Sequence, residues 1–276
     1  MAELVYDIGM NTGDDTAYYL HLGYRVVGVE ANPLRAADCL QRFDQDVRAG
    51  RVTVVNAGIL RERGEFPFFR NLHNDGNSTF CEPTYDPGNW ERIQVACTTM
   101  AALVEEHGRA FFIKSDIEGA DFQVLEGLSP QTCPKYISLE VNLTDPFVTR
   151  LAELGFTAFK FIDGETYRAS EPIFPHEWGW RTLRKIGRLI PPFRSLVRSL
   201  PASIRPGKDE WDKGGKYNPD GYAYSSNCSG PFGELAAGEW VDARAAEARL
   251  QRLVEHHKKA GLTMVWWDVH ARHGRA

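Results

Sequence analysis

Short apolar runs alternate with stretches of helical spacing through the first half of the chain. Leu4, Val5, Tyr6, Asp7 and Ile8 are closed by Gly9 and read as a buried strand. Residues 12–22 follow with helical spacing, Ala17 and Leu20 on one face and acids in the first turn. Residues 25–30 form a second strand. Pro33 opens a helix to about residue 46, since proline suits the first helical position, and residues 51–56 form a third strand. Strands apolar throughout, in the order β-α-β-α-β, predict a parallel sheet covered on both faces.

The pattern then loosens. Residues 65–70 and 94–98 read as extended, residues 71–89 as a polar loop and residues 100–107 as a helix. Alternation resumes with a strand over 110–116, a helix near 121–126, a strand over 136–141, a helix after Asp145 and Pro146, and a strand over 156–162. Residues 163–238 carry no clear period and hold Trp178, Trp180 and Trp211 among many prolines. So long a structureless loop is rare in a compact domain unless it is functional, and it reads as an inserted cap. A charged helix over 240–260 and a strand over 262–269 end the chain. The predicted organisation is a core over 1–162, a cap over 163–238, and a C-terminal helix and strand over 239–276 that complete the core.

Composition narrows the class. The chain has 276 residues, 43 % of them hydrophobic, and 32 Lys and Arg against 37 Asp and Glu, for a net charge of −5. That excludes a disordered, collagen-like or coiled-coil chain and argues against a dedicated nucleic-acid binder. No apolar run approaches the roughly 20 residues of a membrane span. The first residues lack a basic segment and a long apolar segment, so no secretory signal is expected. Cys39, Cys81, Cys97, Cys133 and Cys228 are scattered, with no C-x-x-C pair, and read as reduced thiols of a cytoplasmic protein.

Candidate chemistry begins at the first strand's end, since open α/β sheets bind ligands outside the carboxyl ends of their strands. In the turn from Asp7 to Thr16, the positions of a dinucleotide Gly-x-Gly-x-x-Gly read Gly9, Asn11 and Asp14. Asp14 and Asp15 occupy the helix's first turn, where a pyrophosphate would otherwise sit, and would repel it. They suit a cofactor with a positive end and no phosphate, such as S-adenosylmethionine. Glu30, ending the second strand, is placed to accept from ribose hydroxyls. Two acids that merely favour the helix dipole are the plainer reading.

A second constellation lies at the end of the 110–116 strand. Lys114, Asp116 and Glu118 alternate, so all three point one way if the strand persists. Glu140 and Asn142 end the neighbouring strand in the same manner. Asp116 and Glu118 are candidate proton acceptors, as are His73 and His176 in irregular segments. A structural ion pair with helix capping, and ordinary surface histidines, are the plainer readings. The spacing demands no metal.

The cap's stretch from Arg181 to Lys208 carries eight basic residues and no acid, interleaved with Leu183, Ile186, Leu189, Phe193 and Leu196 and hinged at Pro191 and Pro192. It predicts two amphipathic helical pieces: a lid packing its apolar side on the domain, with its arginines solvated, is the plainer reading, and a cover over the acceptor or a contact with an anionic membrane the functional ones.

Three segments together resemble the FkbM family of methyltransferases dependent on S-adenosylmethionine: Tyr6 to Gly13, Val27 to Pro33, and Ile113 to Gly119 with Val124 to Gly127. Residues 137–142 are similar to the family's next strand. The Lys-x-Asp-x-Glu-Gly segment is the specific one, and the match spans about residues 4–162. The resemblance implies a Rossmann-like three-layer α/β sandwich whose seven-stranded, mostly parallel sheet has an antiparallel last strand. It implies that Asp7, Gly9, Asn11 and Gly13, with Met10, Asp14 and Thr16 of the same turn, hold the cofactor's methionine part. Glu30 would hold the ribose with Ala31 and Asn32 nearby, and Ala57 and Gly58 would border the adenine. Ser78 and Asp116 are further cofactor contacts. The long insert means the acceptor is not inherited from any relative. The expected activity is O-methyl transfer to a hydroxyl of a sugar or glycan, or of a polyketide-like natural product. An NAD-dependent Rossmann oxidoreductase and a catalytically silent binder of S-adenosylmethionine are the alternatives. The Asn/Asp-Pro-Pro-Tyr/Phe segment typical of base-modifying enzymes of this fold is missing, which argues against a nucleic-acid substrate.

Overall fold

A computed structural model describes residues 2–83, 87–142, 144–164, 167–169, 216–225, 227–260 and 266–274. His176, Trp178, Trp180, Trp211 and the basic stretch 181–208 lie outside the described residues.

The elements β1 (Leu4–Ile8), α1 (Asp14–His21), β2 (Arg25–Val29), α2 (Pro33–Arg42), α3 (Asp44–Arg48) and β3 (Val52–Val55) follow the expected winding. Both strand pairs among them are parallel. Helix α1 starts at residue 14 rather than 12, because Asn11 and Gly13 hold φ of 47° and 80° and keep the turn out of the helix. Asn32 caps α2, its Oδ1 accepting from the Leu34 amide at 3.1 Å. The single helix expected over 33–46 instead breaks at Phe43 (φ −106°, ψ 22°). A Cβ on Gly13 would lie 2.5 Å from the Phe43 ring. Burying that ring against the glycine turn prevails over helix continuity.

The two extended segments of the loosened region belong to a second sheet. Strands β4 (Gly58–Ile59), β5 (Gly64–Asn71) and β6 (Trp90–Thr98) form it in the order β4-β6-β5. Strand β6 reaches back to Trp90, paired with Asn71, so the polar loop is shorter than expected. Its first half is mostly exposed, which hides it from a reading of apolar periodicity.

The chain then returns to the main sheet through α4 (Met100–His107), β7 (Phe112–Ser115), α5 (Asp121–Glu126), β8 (Tyr136–Glu140), α6 (Phe147–Glu153) and β9 (Phe156–Asp163). Helix α7 (Ala243–Ala260) and β10 (Trp267–His273) complete it. Asp242 fixes the start of α7, its Oδ1 accepting from the Ala245 amide at 2.8 Å. The sheet has seven strands in the order β3-β2-β1-β7-β8-β10-β9, with β10 antiparallel to both neighbours. The strand order turns back between the parallel strands β1 and β7, which makes the crevice there the expected ligand position. The last strand runs on to His273, past the expected end at 269, and residues 261–265 lie outside the described residues. By alternation Trp267, Val269 and Ala271 enter the core.

Helices α4 to α7 pack on one face of the sheet. On the other face lie α1, α2 and α3 together with Tyr222, Tyr224, Cys228, Phe232 and Trp240. Phe232 stacks on Phe112 at 3.9 Å between ring centroids, 3° from parallel. The described end of the insert is thus a layer over the sheet. Beneath it runs a buried polar row in register: Asp7, Lys114, Ser138, His270 and Lys160. Lys160 donates to the Ala236 carbonyl at 2.7 Å and lies over the Trp240 ring. No helix among the described residues is long and apolar enough to cross a membrane.

His270 gives this row a pH signature. Burial, with the Lys160 charge adding to it, pushes the imidazole down to about 3 from 6.5. The unfolded chain takes up a proton between those values and the folded one does not, so the His270 contribution is complete above pH 6.5 and is lost as pH falls toward 3. Raised buried acids such as Asp121 act with the opposite sign. In urea unfolding between pH 6.5 and 4, His270→Gln is expected to flatten the acid-side fall of stability by up to about 1.4 kcal/mol per pH unit relative to the parent. Identical slopes would contradict a neutral buried imidazole.

Candidate active site

One ammonium group organises the crevice. Lys114 is 4 % exposed. Its Nζ lies 3.5 Å from Asp7 Oδ1, 3.4 Å from Asp15 Oδ2 and 3.9 Å from Asp116 Oδ2, and donates to the Gly9 carbonyl at 3.2 Å. A buried cation needs such partners. This one ties the end of β1, the first turn of α1 and the end of β7 together. Gly9 (φ 81°) is where the chain passes closest, since a Cβ there would fall 1.9 Å from the Asp116 carbonyl oxygen.

The carboxylates around it divide by role. Asp7 is fully buried and accepts from Thr16 Oγ1 at 2.7 Å. Burial pushes its carboxyl up, against the pull of Lys114. Asp15 accepts from Cys228 Sγ at 2.9 Å, the Ser229 amide at 2.8 Å and Ser229 Oγ at 2.9 Å. That stitches the end of the insert onto α1 and brings Asn227 to the crevice wall. Asp14 turns outward and pairs with Arg42 at 2.7 Å. Both aspartates stand in the first turn of α1, as expected; Asp15 lines the crevice, while Asp14 pairs with Arg42 on α2 and is not among the lining residues.

Glu30 is held from both sides. Oε2 accepts from the Asn11 amide at 2.7 Å and Oε1 from the Asn32 amide at 2.8 Å. Each oxygen keeps a lone pair for a donor in the crevice, which fits a vicinal diol. Burial pushes this carboxyl up despite the two amides.

The Lys114, Asp116, Glu118 alternation is not one strand face. Strand β7 ends at Ser115, and Glu118 sits at φ 51° in a left-handed turn. Asp121 builds that turn, its Oδ1 accepting from Ser115 Oγ at 2.6 Å and the Ile117 amide at 3.2 Å. Thr79 Oγ1 donates to the Glu118 carbonyl at 2.8 Å, and Arg35 holds Asp75 at 2.6 Å, so the 71–81 loop closes over the crevice. Burial and the neighbouring Asp116 and Asp121 push the Glu118 carboxyl up to about 8. Carboxylate oxygens of Asp116, Glu118 and Glu140 lie within 4.8 Å of one another.

The cleft has a cavity volume of about 70 Å³ as it stands. Of the expected residues, Gly9, Met10, Asn11, Glu30 and Ala31 line it, as do Ala57, Gly58, Ser78, Asp116 and Glu118. Asp7, Gly13, Thr16 and Asn32 stand behind the wall and brace it. His73 is exposed and does not line the cleft; His176 lies outside the described residues. Phe68, Asp75, Gly76, Phe80, Ile117 and Asn227 also line it. Phe80 has a faint signal, as an apolar residue inside a polar loop. Asn227 has none, since it arrives across the insert.

The methyltransferase FkbM domain, as a family model, matches residues 7–168. Among solved structures the chain is similar to the methyltransferase FkbM from Methylobacillus flagellatus KT, at 18 % identity and TM-score 0.35 over 50 % of this chain. That match spans about a third (32 %) of the other chain. It is also similar to a SAM-dependent methyltransferase from Geobacter sulfurreducens in complex with S-adenosyl-L-homocysteine, at 13 % identity and TM-score 0.33 over 98 % of this chain and 83 % of that one. A third likeness is to precorrin-6y C5,15-methyltransferase from Geobacter metallireducens GS-15, at 14 % identity and TM-score 0.31 over 59 % and 69 % of the two chains. No curated protein matches the chain in sequence.

Lys114→Met tests the organising charge. It leaves Asp7, Asp15 and Asp116 without their shared cation, and urea unfolding at pH 7 is expected to show a loss of about 3–5 kcal/mol. The loss shrinks at pH 5, where Asp7 takes up a proton more readily. A change under about 1 kcal/mol at pH 7 would contradict the role assigned to Lys114.

Proposed function

The chain belongs to the methyltransferase FkbM domain family, and on that premise we propose that it uses S-adenosylmethionine to methylate a hydroxyl group. The acceptor class is a sugar or glycan, or a polyketide-like natural product. The observation that carries this reading is the charge of the cleft: Asp15, Glu30 and Asp116 line it, and Lys114, the one cation among its described lining residues, is itself engaged by three aspartates. Such a wall repels a diphosphate and suits a sulfonium nucleoside with an ammonium tail. The cofactor brings an activated methyl group to the cleft.

The chain's own residues supply the rest. Glu30 accepts from the ribose, with its carboxylate fixed by the Asn11 and Asn32 amides. Ala57, Gly58 and Phe80 form the apolar end that takes the base. Asp15 and Asp116 face the cationic end. Alignment of the acceptor oxygen is the main requirement of an in-line displacement. Glu118, pushed up to about 8 beside Asp116 and Asp121, is the carboxylate best matched to taking the hydroxyl proton near neutral pH. His73 is too exposed to serve this purpose as placed. The insert, including the basic stretch 181–208, is assigned to acceptor recognition.

Incubating the protein with methyl-labelled S-adenosylmethionine and fractionated glycolipids, sugars and polyketide-like compounds is expected to label one fraction, at a base-stable ether. Glu118→Gln is expected to lower turnover by about 10²–10⁴-fold while S-adenosylhomocysteine affinity changes less than about threefold. Label entering an amine or a carbon, or full turnover by Glu118→Gln, would contradict the hydroxyl reading.

A further inference from the structure

The acidic surplus of the cleft continues past its wall into a pocket of oxygens. Lys114 and Asp116 leave β7 on one face, Ser138 and Glu140 leave β8 on the same face, and Lys114 pairs with Ser138 in register. Asp116 and Glu140 therefore stand side by side at the carboxyl ends of adjacent strands. Glu118 turns back toward them from its left-handed position. One carboxylate oxygen from each lies within 4.8 Å of the others.

Asp268 is a separate observation. It sits directly opposite Glu140 across the β8–β10 pair. Its neighbours Trp267 and Val269 enter the core on the far face, so Asp268 points to the face of Asp116 and Glu140. It is 6 % exposed, yet among the described residues its carboxylate takes part in no hydrogen bond and no salt bridge. The nearest buried cation, Lys114, is already shared by Asp7, Asp15 and Asp116. A carboxyl so buried, beside three others and with no partner among the described residues, is relieved by a proton or by a counter-charge.

We infer that Asp116, Glu118 and Glu140 bind a divalent cation, with Asp268 behind them adding charge. An all-oxygen donor set selects a hard ion such as Mg²⁺, Ca²⁺ or Mn²⁺ over a thiolate-seeking one. Three protein oxygens leave coordination positions for water or a ligand oxygen. Asp116 and Glu118 also line the cleft, so those positions open toward the acceptor side. For an enzyme that methylates a hydroxyl, an ion there holds the acceptor oxygen and favours its ionised form, with Glu118 then holding the ion rather than taking the proton itself. That use rests on the function proposed above; the ion's binding does not.

Mn²⁺ titration of the metal-stripped full chain, followed by electron paramagnetic resonance of the free ion, tests this. The expected result is one bound Mn²⁺ per chain, retained when S-adenosylhomocysteine is added and competed by Mg²⁺ or Ca²⁺. Glu140→Gln, which does not line the cleft, is expected to weaken binding by at least tenfold. Asp116→Asn gives the same readout should the first variant not fold. No bound Mn²⁺ at millimolar concentration, or affinity unchanged in the folded variant, overturns the site. Displacement of Mn²⁺ by S-adenosylhomocysteine also overturns it, since the acids would then serve the cofactor's ammonium. Methyl transfer without metal binding would sink this inference and leave the proposed function standing.

Discussion

A single buried ammonium, Lys114, is the constraint on which the crevice depends. Three aspartates from three elements approach it, and it donates to the carbonyl of the first glycine of the β1–α1 turn. Removing a lysine from water is costly, and the cost is offset only if every partner holds its position. The glycine turn, the helix start and the end of the central strand are therefore placed together or not at all. Because the acids outnumber the lysine, the site keeps a negative field where its ligands dock. Lys114 and Asp116 form the ion pair of the plainer reading, and both also line the cleft.

The same logic explains which acids face the ligand. Arg42 on α2 takes Asp14 to the surface, while Cys228 and Ser229 hold Asp15 inward. The insert thus contributes to the crevice through its last residues, although its sequence has no period that would reveal this. Its end is fastened on the sheet by Phe232 against Phe112 and on α1 by Asp15.

The main sheet was legible because its strands carry local signals: continuous apolar runs, a proline at the start of α2, and the Gly9 and Gly13 turn. So were Gly9, Glu30 and the β7-end acids, which occupy fixed places relative to those strands. What the sequence concealed depends on distant partners. The break at Phe43 answers to Gly13, 30 residues away. Strand β6 is exposed along its first half and exists because β5 pairs with it. The last strand is read by alternation across two buried faces, one of them polar, where Asp268 and His270 stand. The meeting of Asp116, Glu118 and Glu140 requires both the parallel register of β7 and β8 and a left-handed turn at Glu118. Neither is visible in spacing alone.

The central claim is that the acidic crevice admits a sulfur nucleoside and rejects a diphosphate. Calorimetric titration of the full chain with S-adenosylhomocysteine and, separately, with NAD addresses it most directly. The account predicts one site for S-adenosylhomocysteine and no heat of binding for NAD. Saturable NAD binding with no response to S-adenosylhomocysteine would contradict it.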